Sequence, residues 1–262
     1  MRSPTTLALI AAVLLGSATA ASAGECANSK ALGTSRTLAV NPQAFPMVGK
    51  DQYQETLPLK NREVVLTFDD GPSAPYTEMV LEALAAECVK ATFFLLGSNV
   101  VDDPELVARI SQEGHTIGTH AFNHVELDKL PFEEAVKEIE LGIKAATDAL
   151  AGRGPARFFR APMLELSPQL EKHLTSRGLM IWSIDVDSLD WTEIPEEQVV
   201  AETIKKLEEV GKGILLMHDI QPVTARALPL LLEELKRRNF RVVHVVPATP
   251  DPKAKKTSGL VR

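Results

Sequence analysis

The chain has 262 residues, 45% hydrophobic and 24% charged, enough apolar material for one large domain with a full core. Its formal charge of −7 argues against a nucleic-acid partner, because a polyanion is bound through clustered Lys and Arg that release its counterions.

Arg2, the apolar stretch Leu7–Leu15 and the endings Ala18-Thr19-Ala20 and Ala21-Ser22-Ala23 predict an export signal over residues 1–23. That stretch is too short to span a bilayer, so the expectation is a periplasmic or secreted protein with no stable membrane anchor. Residues 24–61 have no clear periodicity and contain Pro42, Pro46 and Pro58, which reads as an extended lead-in partly packed on the domain. The two cysteines, Cys26 and Cys88, leave two possibilities open. They pair in an oxidising compartment, or Cys88 is a small buried hydrophobe on a helix and Cys26 is free.

From residue 62 onward short apolar runs alternate with amphipathic ones. Strands are predicted at Val64–Phe68, Thr92–Leu96, Thr116–Gly118, Arg157–Phe159, Leu179–Ile184, Ile214–Met217 and Arg241–Val246. Helices are predicted between them. "DPELVARISQEG" starts on Asp103 with Pro104 in the first turn and ends at Gly114, and "SPQLEKHLTSRG" repeats that grammar with Ser167, Pro168 and Gly178. Phe132, Val136, Ile139, Ile143, Ala146 and Leu150 form one stripe, with Glu133–Lys137 and Glu140–Lys144 at i,i+4 on the wet side. Two more helices are predicted at Pro195–Val210 and Ala225–Arg238, with Pro229 early enough in the last to be tolerated. Residues 248–262 read as a flexible polar tail. Alternation of this kind implies a parallel α/β protein, barrel or open sheet, and in both the chemistry collects at the carboxyl ends of the strands.

Those ends carry titratable groups. The first run ends in Asp69-Asp70 before a Gly71-Pro72 turn, and the third leads into "GTHAFNH" with His120 and His124. Arg160 follows the fourth, Asp185, Asp187, Asp190 and Trp191 follow the fifth, and His218 and Asp219 follow the sixth. Two adjacent like charges at the end of an apolar strand are costly unless each has a partner; the plain alternative is an Asp-Asp-Gly turn. Four-residue spacing puts His120 and His124 on one face of a helical turn, a metal-ligand spacing. "HAFNH" has no acid inside, so a base must come from elsewhere, and the aspartate pair can supply one. Two imidazoles and one carboxylate leave positions open on a metal, which marks a catalytic site. His218 reads as a proton donor to a leaving group rather than a backbone-bonded histidine. His115, His173 and His244 read as structural. Trp191 and Leu216 are either an apolar wall of the site or, equally for Leu216, ordinary core.

"TFDD" (67–70), "HAFNH" (120–124), "RAPM" (160–163), "DSLDW" (187–191) and "LMH" (216–218) resemble, in order, the five motifs of polysaccharide deacetylases with the NodB homology domain, carbohydrate esterase family 4. "KATFFLLG" at 90–97 is similar too, and the resemblance covers residues 62–247. It implies a distorted (β/α)7–8 barrel and metal-dependent removal of acetyl groups from N-acetylglucosamine poly- or oligosaccharides, peptidoglycan or chitin-like. By position, Asp69 would be the general base, held by Arg160. Asp70, His120 and His124 would bind a divalent ion, zinc first, with cobalt, nickel or manganese as alternatives. His218 would be the general acid, oriented by Asp190. Trp191 and Leu216 would line the pocket for the acetyl methyl, and the Met163 N–H would donate to the oxyanion. The chain departs from the family at Met163, where a Tyr is usual, and at Ala121, where Ser or Thr is frequent; both bear on substrate and rate more than on reaction type. The expected partner is an N-acetylated glycan and the expected state a monomer. The rival readings are an O-acetyl esterase or non-sugar amidase on the same site, and a silent exported carbohydrate-binding protein.

Overall fold

The computed structural model describes residue 26, residues 28–152 and residues 154–248. The signal-peptide reading of 1–23 and the tail beyond Ala248 lie outside them. Ten described strands are all parallel: β1 (Thr34–Val40), β2 (Met47–Val48), β3 (Glu63–Asp69), β4 (Thr92–Leu95), β5 (Thr116–Thr119), β6 (Phe158–Phe159), β7 (Met180–Trp182), β8 (Val186–Asp187), β9 (Gly213–His218) and β10 (Arg241–Pro247). The helices are α1 (Tyr76–Ala86), α2 (Gly97–Asp102), α3 (Pro104–Gln112), α4 (Phe132–Ala149), α5 (Pro168–Ser176), α6 (Glu196–Val210) and α7 (Pro222–Arg237).

β3 is the hub. One edge pairs with β9 along its length, and the other is shared by β10 at its start and β4 at its end. From β4 the sheet continues through β5, β6 and β7 to β2, while β8 pairs with β9. The gap between β2 and β8 is bridged by Asp185. Its Oδ1 accepts from Lys50 N at 2.9 Å, and its Oδ2 from Thr56 Oγ1 at 2.7 Å and Ile214 N at 2.8 Å. A sheet that closes partly by ladder and partly by a side chain is the distorted barrel that the motifs imply.

The two-residue period of a strand decides what faces where. On β3, Val64, Leu66 and Phe68 pack outward against helices, while Val65 packs in the barrel with Phe94, Phe158, Trp182 and Ile214. Thr67 and Asp69 follow Val65 on the inner side. Gly118 on β5 has a steric reason: a Cβ there would stand 2.7 Å from the Phe94 ring. A third cluster, with Ala135, Ile139, Phe159, Leu170 and Ile181, seats α4 and α5 on the outside.

All seven predicted strands are present, with ends moved by a few residues at most. The lead-in does more than pack: β1 pairs with β10 and β2 with β7. Arg36 on β1 reaches past β10 to Glu63 at 2.7 Å, and that bond holds the Glu63 carboxyl down at about 2. The five predicted helices are present, and α1 and α2 are additional. α7 starts at Pro222 rather than near Ala225, so Pro229 lies inside it and leaves the Ala225 carbonyl without its usual i+4 donor.

Cys26 and Cys88 form a disulfide, with Cα atoms 5.8 Å apart. Cys88 lies in the turn after α1 at φ 52°, not on a helix. The bond closes a sequence separation of 62 residues, so Cys88→Ser is expected to lower stability by about 2–4 kcal/mol. Urea unfolding of the two proteins, with and without reductant, checks this; equal midpoints would contradict it.

Candidate active site

Asp69 and Asp70 differ in backbone, and that difference brings both carboxylates to one place. Asp69 ends the regular strand and points into the barrel mouth. Asp70, one residue on, would point outward, but its φ of 75° turns it back. Both are buried, at 2% and 8% exposure.

The buried Arg160 guanidinium donates from one nitrogen to Asp69 Oδ1 at 2.7 Å and to Thr67 Oγ1 at 2.9 Å, and from the other to the Ser183 carbonyl at 3.2 Å. It also lies over the Phe94 ring, 4.4 Å from its centroid. Burial pushes Arg160 below its ordinary pKa, and Asp69 opposes that. The bond fixes one oxygen of Asp69 and the orientation of its carboxylate.

His120 Nε2 lies 3.4 Å from Asp70 Oδ1 and His124 Nε2 3.6 Å from the same oxygen. Asp70 Oδ1 is buried and accepts no hydrogen bond among the described residues. The His120 Nδ1 atom is committed to the Arg160 carbonyl at 2.8 Å, which leaves Nε2 for a ligand. Burial pushes His120 below its ordinary pKa, against the pull of Asp69 and Asp70, toward the neutral ligand form. One orphaned carboxylate oxygen and two imidazole nitrogens facing it fit a divalent cation. The backbone at the two histidines differs from the helical turn that their four-residue spacing predicts. They are not on a helix: His120 follows β5 and His124 lies in a loop turned by Ala121 at φ 62°. Gly142 on α4 permits that loop, because a Cβ there would stand 2.3 Å from the Ala121 carbonyl oxygen.

His218 ends β9 on the inner side. Its Nδ1 bonds Asp190 Oδ1 at 2.8 Å and its backbone N–H donates to Asp190 Oδ2 at 2.7 Å; Thr224 also donates to Asp190. Burial disfavours the charged imidazole, but the Asp190 hydrogen bond and the charges of Asp190, Asp69 and Asp70 outweigh it and raise His218 to about 9. Nε2 is left for a reacting group.

Asp69, Asp70, His120, His124, Met163, Trp191, Leu216 and His218 line one cleft of about 400 Å³. Arg160 and Asp190 support it from behind. Leu216 is buried, whereas Met163 and Trp191 are each 57% exposed on the rim. Met163 has φ 55° and Leu164 φ 62°, so this turn holds two non-glycine residues in the left-handed region. Trp191 Nε1 donates to Asp187 Oδ2 at 3.2 Å, which gives a role to an acid left unassigned in the sequence. A larger groove of about 610 Å³ between α6 and α7 holds Lys205 and Arg238 among glutamates and no imidazole.

The other histidines have structural partners. His115 Nδ1 accepts the Ala91 N–H, and burial pushes it down to about 3. His244 meets Thr116 Oγ1 at 2.9 Å, and burial lowers it to about 4. His173 packs edge-on with Phe132. Three residues near the site have no role predicted from the sequence. Thr224 bonds Asp190, Asn99 donates to the Asp70 carbonyl, and Asp219 accepts from Thr77 and is raised by burial to about 7. Asp219 carried a signal, as a strand-end acid; Asn99 and Thr224 are polar residues on helices and carried none.

The family model described as polysaccharide deacetylase matches residues 56–182. A peptidoglycan-N-acetylglucosamine deacetylase of Bacillus cereus is 33% identical over 204 residues, 76% of this chain and 72% of that protein. A chitin deacetylase of Arthroderma benhamiae is 32% identical over 204 residues, 74% of this chain and 53% of that protein. The solved peptidoglycan deacetylase Bd3279 of Bdellovibrio bacteriovorus superimposes with a TM-score of 0.73 at 34% identity, covering 87% of this chain and 62% of that one.

Proposed function

The chain belongs to the polysaccharide deacetylase family, and from that premise we propose that it hydrolyses the acetamide of N-acetylglucosamine units in peptidoglycan or a chitin-like glycan. The observation that carries this reading is the meeting of two differently held carboxylates in one cleft. Asp69 is clamped by Arg160, while the buried Asp70 Oδ1 faces two imidazoles.

Asp70, His120 and His124 would hold the divalent ion, which when bound polarises the acetamide carbonyl and acidifies water. Two imidazoles and a carboxylate suit zinc. Asp69 needs no ligand role. Its carboxylate, with one oxygen on Arg160, takes the proton from the attacking water. The carbonyl carbon gains the C–O bond, and charge develops on its oxygen, toward which the Met163 N–H donates. His218, charged through Asp190, then gives its Nε2 proton to the departing nitrogen as the C–N bond breaks. Acetate and the sugar amine result. Leu216 and the Trp191 ring wall the side of the cleft that the acetyl methyl occupies.

Export is part of this proposal, because a glycan polymer lies outside the cell membrane and the Cys26–Cys88 disulfide persists in oxidising compartments. No helix among the described residues is long and apolar enough to cross a membrane. We assign the catalytic unit to residues 62–247, with β1 and β2 as its flank.

The test incubates zinc-loaded protein with N-acetylglucosamine oligomers, peptidoglycan and an O-acetylated xylan, and measures acetate and free amine. Acetate matched by an equal amount of amine from the N-acetyl glycans is expected. Acetate from the O-acetyl ester alone would move the assignment to an esterase.

A further inference from the structure

We propose that Asn99 on α2 is a positioning residue for the site, holding Asp70 in the backbone conformation that brings its carboxylate to the two histidines. This rests on reading Asp70, His120 and His124 as the metal centre.

The segment Phe94–Asn99 runs between the two loops that carry those three residues and bonds both. On one side, the Phe94 carbonyl accepts from Asp70 N at 3.2 Å and Leu96 N donates to the Gly71 carbonyl at 3.1 Å. On the other, the Leu95 carbonyl accepts from His120 N, and Gly97 N and Ser98 N donate to the Ala121 and Phe122 carbonyls, each at 2.9 Å. The ladder of β4 therefore continues past the end of the strand as a bracket. These five bonds are backbone bonds, available to any sequence with this path. The sixth comes from a side chain: Asn99 Nδ2 donates to the Asp70 carbonyl at 2.7 Å.

At φ 75° the Asp70 Cβ crowds the following carbonyl, so the conformation is strained. Such a conformation lasts only where its surroundings over-determine it. Phe94 holds the Asp70 N–H and Asn99 holds the Asp70 C=O, so both peptide groups flanking the strained dihedrals are fixed. Without the amide, that partly buried carbonyl loses its donor and the backbone is free to relax toward negative φ. Relaxation swings the carboxylate away from His120 and His124, and no other change in the protein is needed.

The test titrates Co²⁺ into the metal-free full chain and reads the visible spectrum and the Kd. The proteins are the parent, Asn99→Ala, Asn99→Asp and Val101→Ala, the last an exposed neighbour on α2. Thermal melts without metal accompany each. The expected result is Co²⁺ affinity weakened about tenfold or more by Asn99→Ala, and further by Asn99→Asp, whose oxygen repels the carbonyl. The spectrum should change, Val101→Ala should match the parent, and metal-free melting should stay within about 2 °C. Parent-like affinity and spectrum in both Asn99 variants would overturn the inference and leave the metal centre standing. A large loss of metal-free melting temperature, or failure of Asn99→Ala to fold, would overturn it by making Asn99 a residue of the fold. A parent that binds no Co²⁺ would remove the metal centre and this inference together.

Discussion

Asp69→Asn is expected to lower kcat for acetate release by about 10³-fold, within the range for losing a general base, while Zn²⁺ affinity stays within a few-fold. Asparagine keeps the shape of the carboxylate and loses its charge and basicity. The attacking water then has no acceptor for its proton, but Asp70, His120 and His124 still face one another. The same change has a second effect. Arg160 is 0% exposed and Asp69 is the anion bonded to it, so Asn leaves a buried charge unpaired. Removing one partner of such a pair costs about 3–5 kcal/mol. A lower melting temperature should accompany the lost activity, and kcat must be measured well below it. Near-parental kcat in folded Asp69→Asn would show that the proton goes elsewhere.

His218→Ala is expected to lower kcat on an N-acetyl glycan by about 10²–10⁴-fold and to affect an O-acetyl ester far less. An amine cannot leave without a proton, whereas an alkoxide leaves more readily. Comparing the two substrates on one variant separates the acid's role from general damage to the cleft. The pH dependence follows from sign. His218 is raised to about 9, so it is charged and able to donate at neutral pH, and activity should fall as pH rises through that value. Asp190 supplies much of the raising, by hydrogen bond and by charge. Asp190→Asn should therefore move the falling limb to lower pH and reduce kcat at pH 8, and an unmoved limb would contradict the pairing. The same shift bears on stability. A pKa above its unfolded value contributes stability that is full below about 6.5 and is lost as pH rises through about 9.

How far the sequence could be read depended on what kind of order each feature needs. The seven buried strands were visible because parallel strands covered on both faces are nearly pure Val, Ile, Leu and Phe. β1 was not, because Thr34, Arg36 and Leu38 lie half-buried in one row and Ser35 and Thr37 are exposed in the other. β2 and β8 are two residues long, too short for any period, and lack an aromatic pair like the Phe158-Phe159 that marks the equally short β6. Within the site, side-chain types at strand ends could be read directly, because chain order delivers Asp69, His120, Arg160 and His218 to the same end of the barrel. Backbone turns could not. Spacing alone put His120 and His124 on a helix, yet a left-handed Ala121 brings the two rings together, with centroids 5.4 Å apart. The disulfide was one of two open possibilities, since pairing depends on where the lead-in runs. Asn99 is invisible in sequence because its partner is a carbonyl, which every residue has.

Metal content measured together with activity tests the central claim most directly. The protein is stripped with a chelator, its bound metal is counted, and acetate release from an N-acetylglucosamine oligomer is followed as Zn²⁺ is returned. One ion per chain, activity lost on stripping and regained in proportion to that ion, and no ion retained by Asp70→Ala are the predicted results. Full activity in protein shown to hold no metal, or parent-like metal content in Asp70→Ala, would contradict the claim that Asp70, His120 and His124 hold the ion while Asp69 moves the proton.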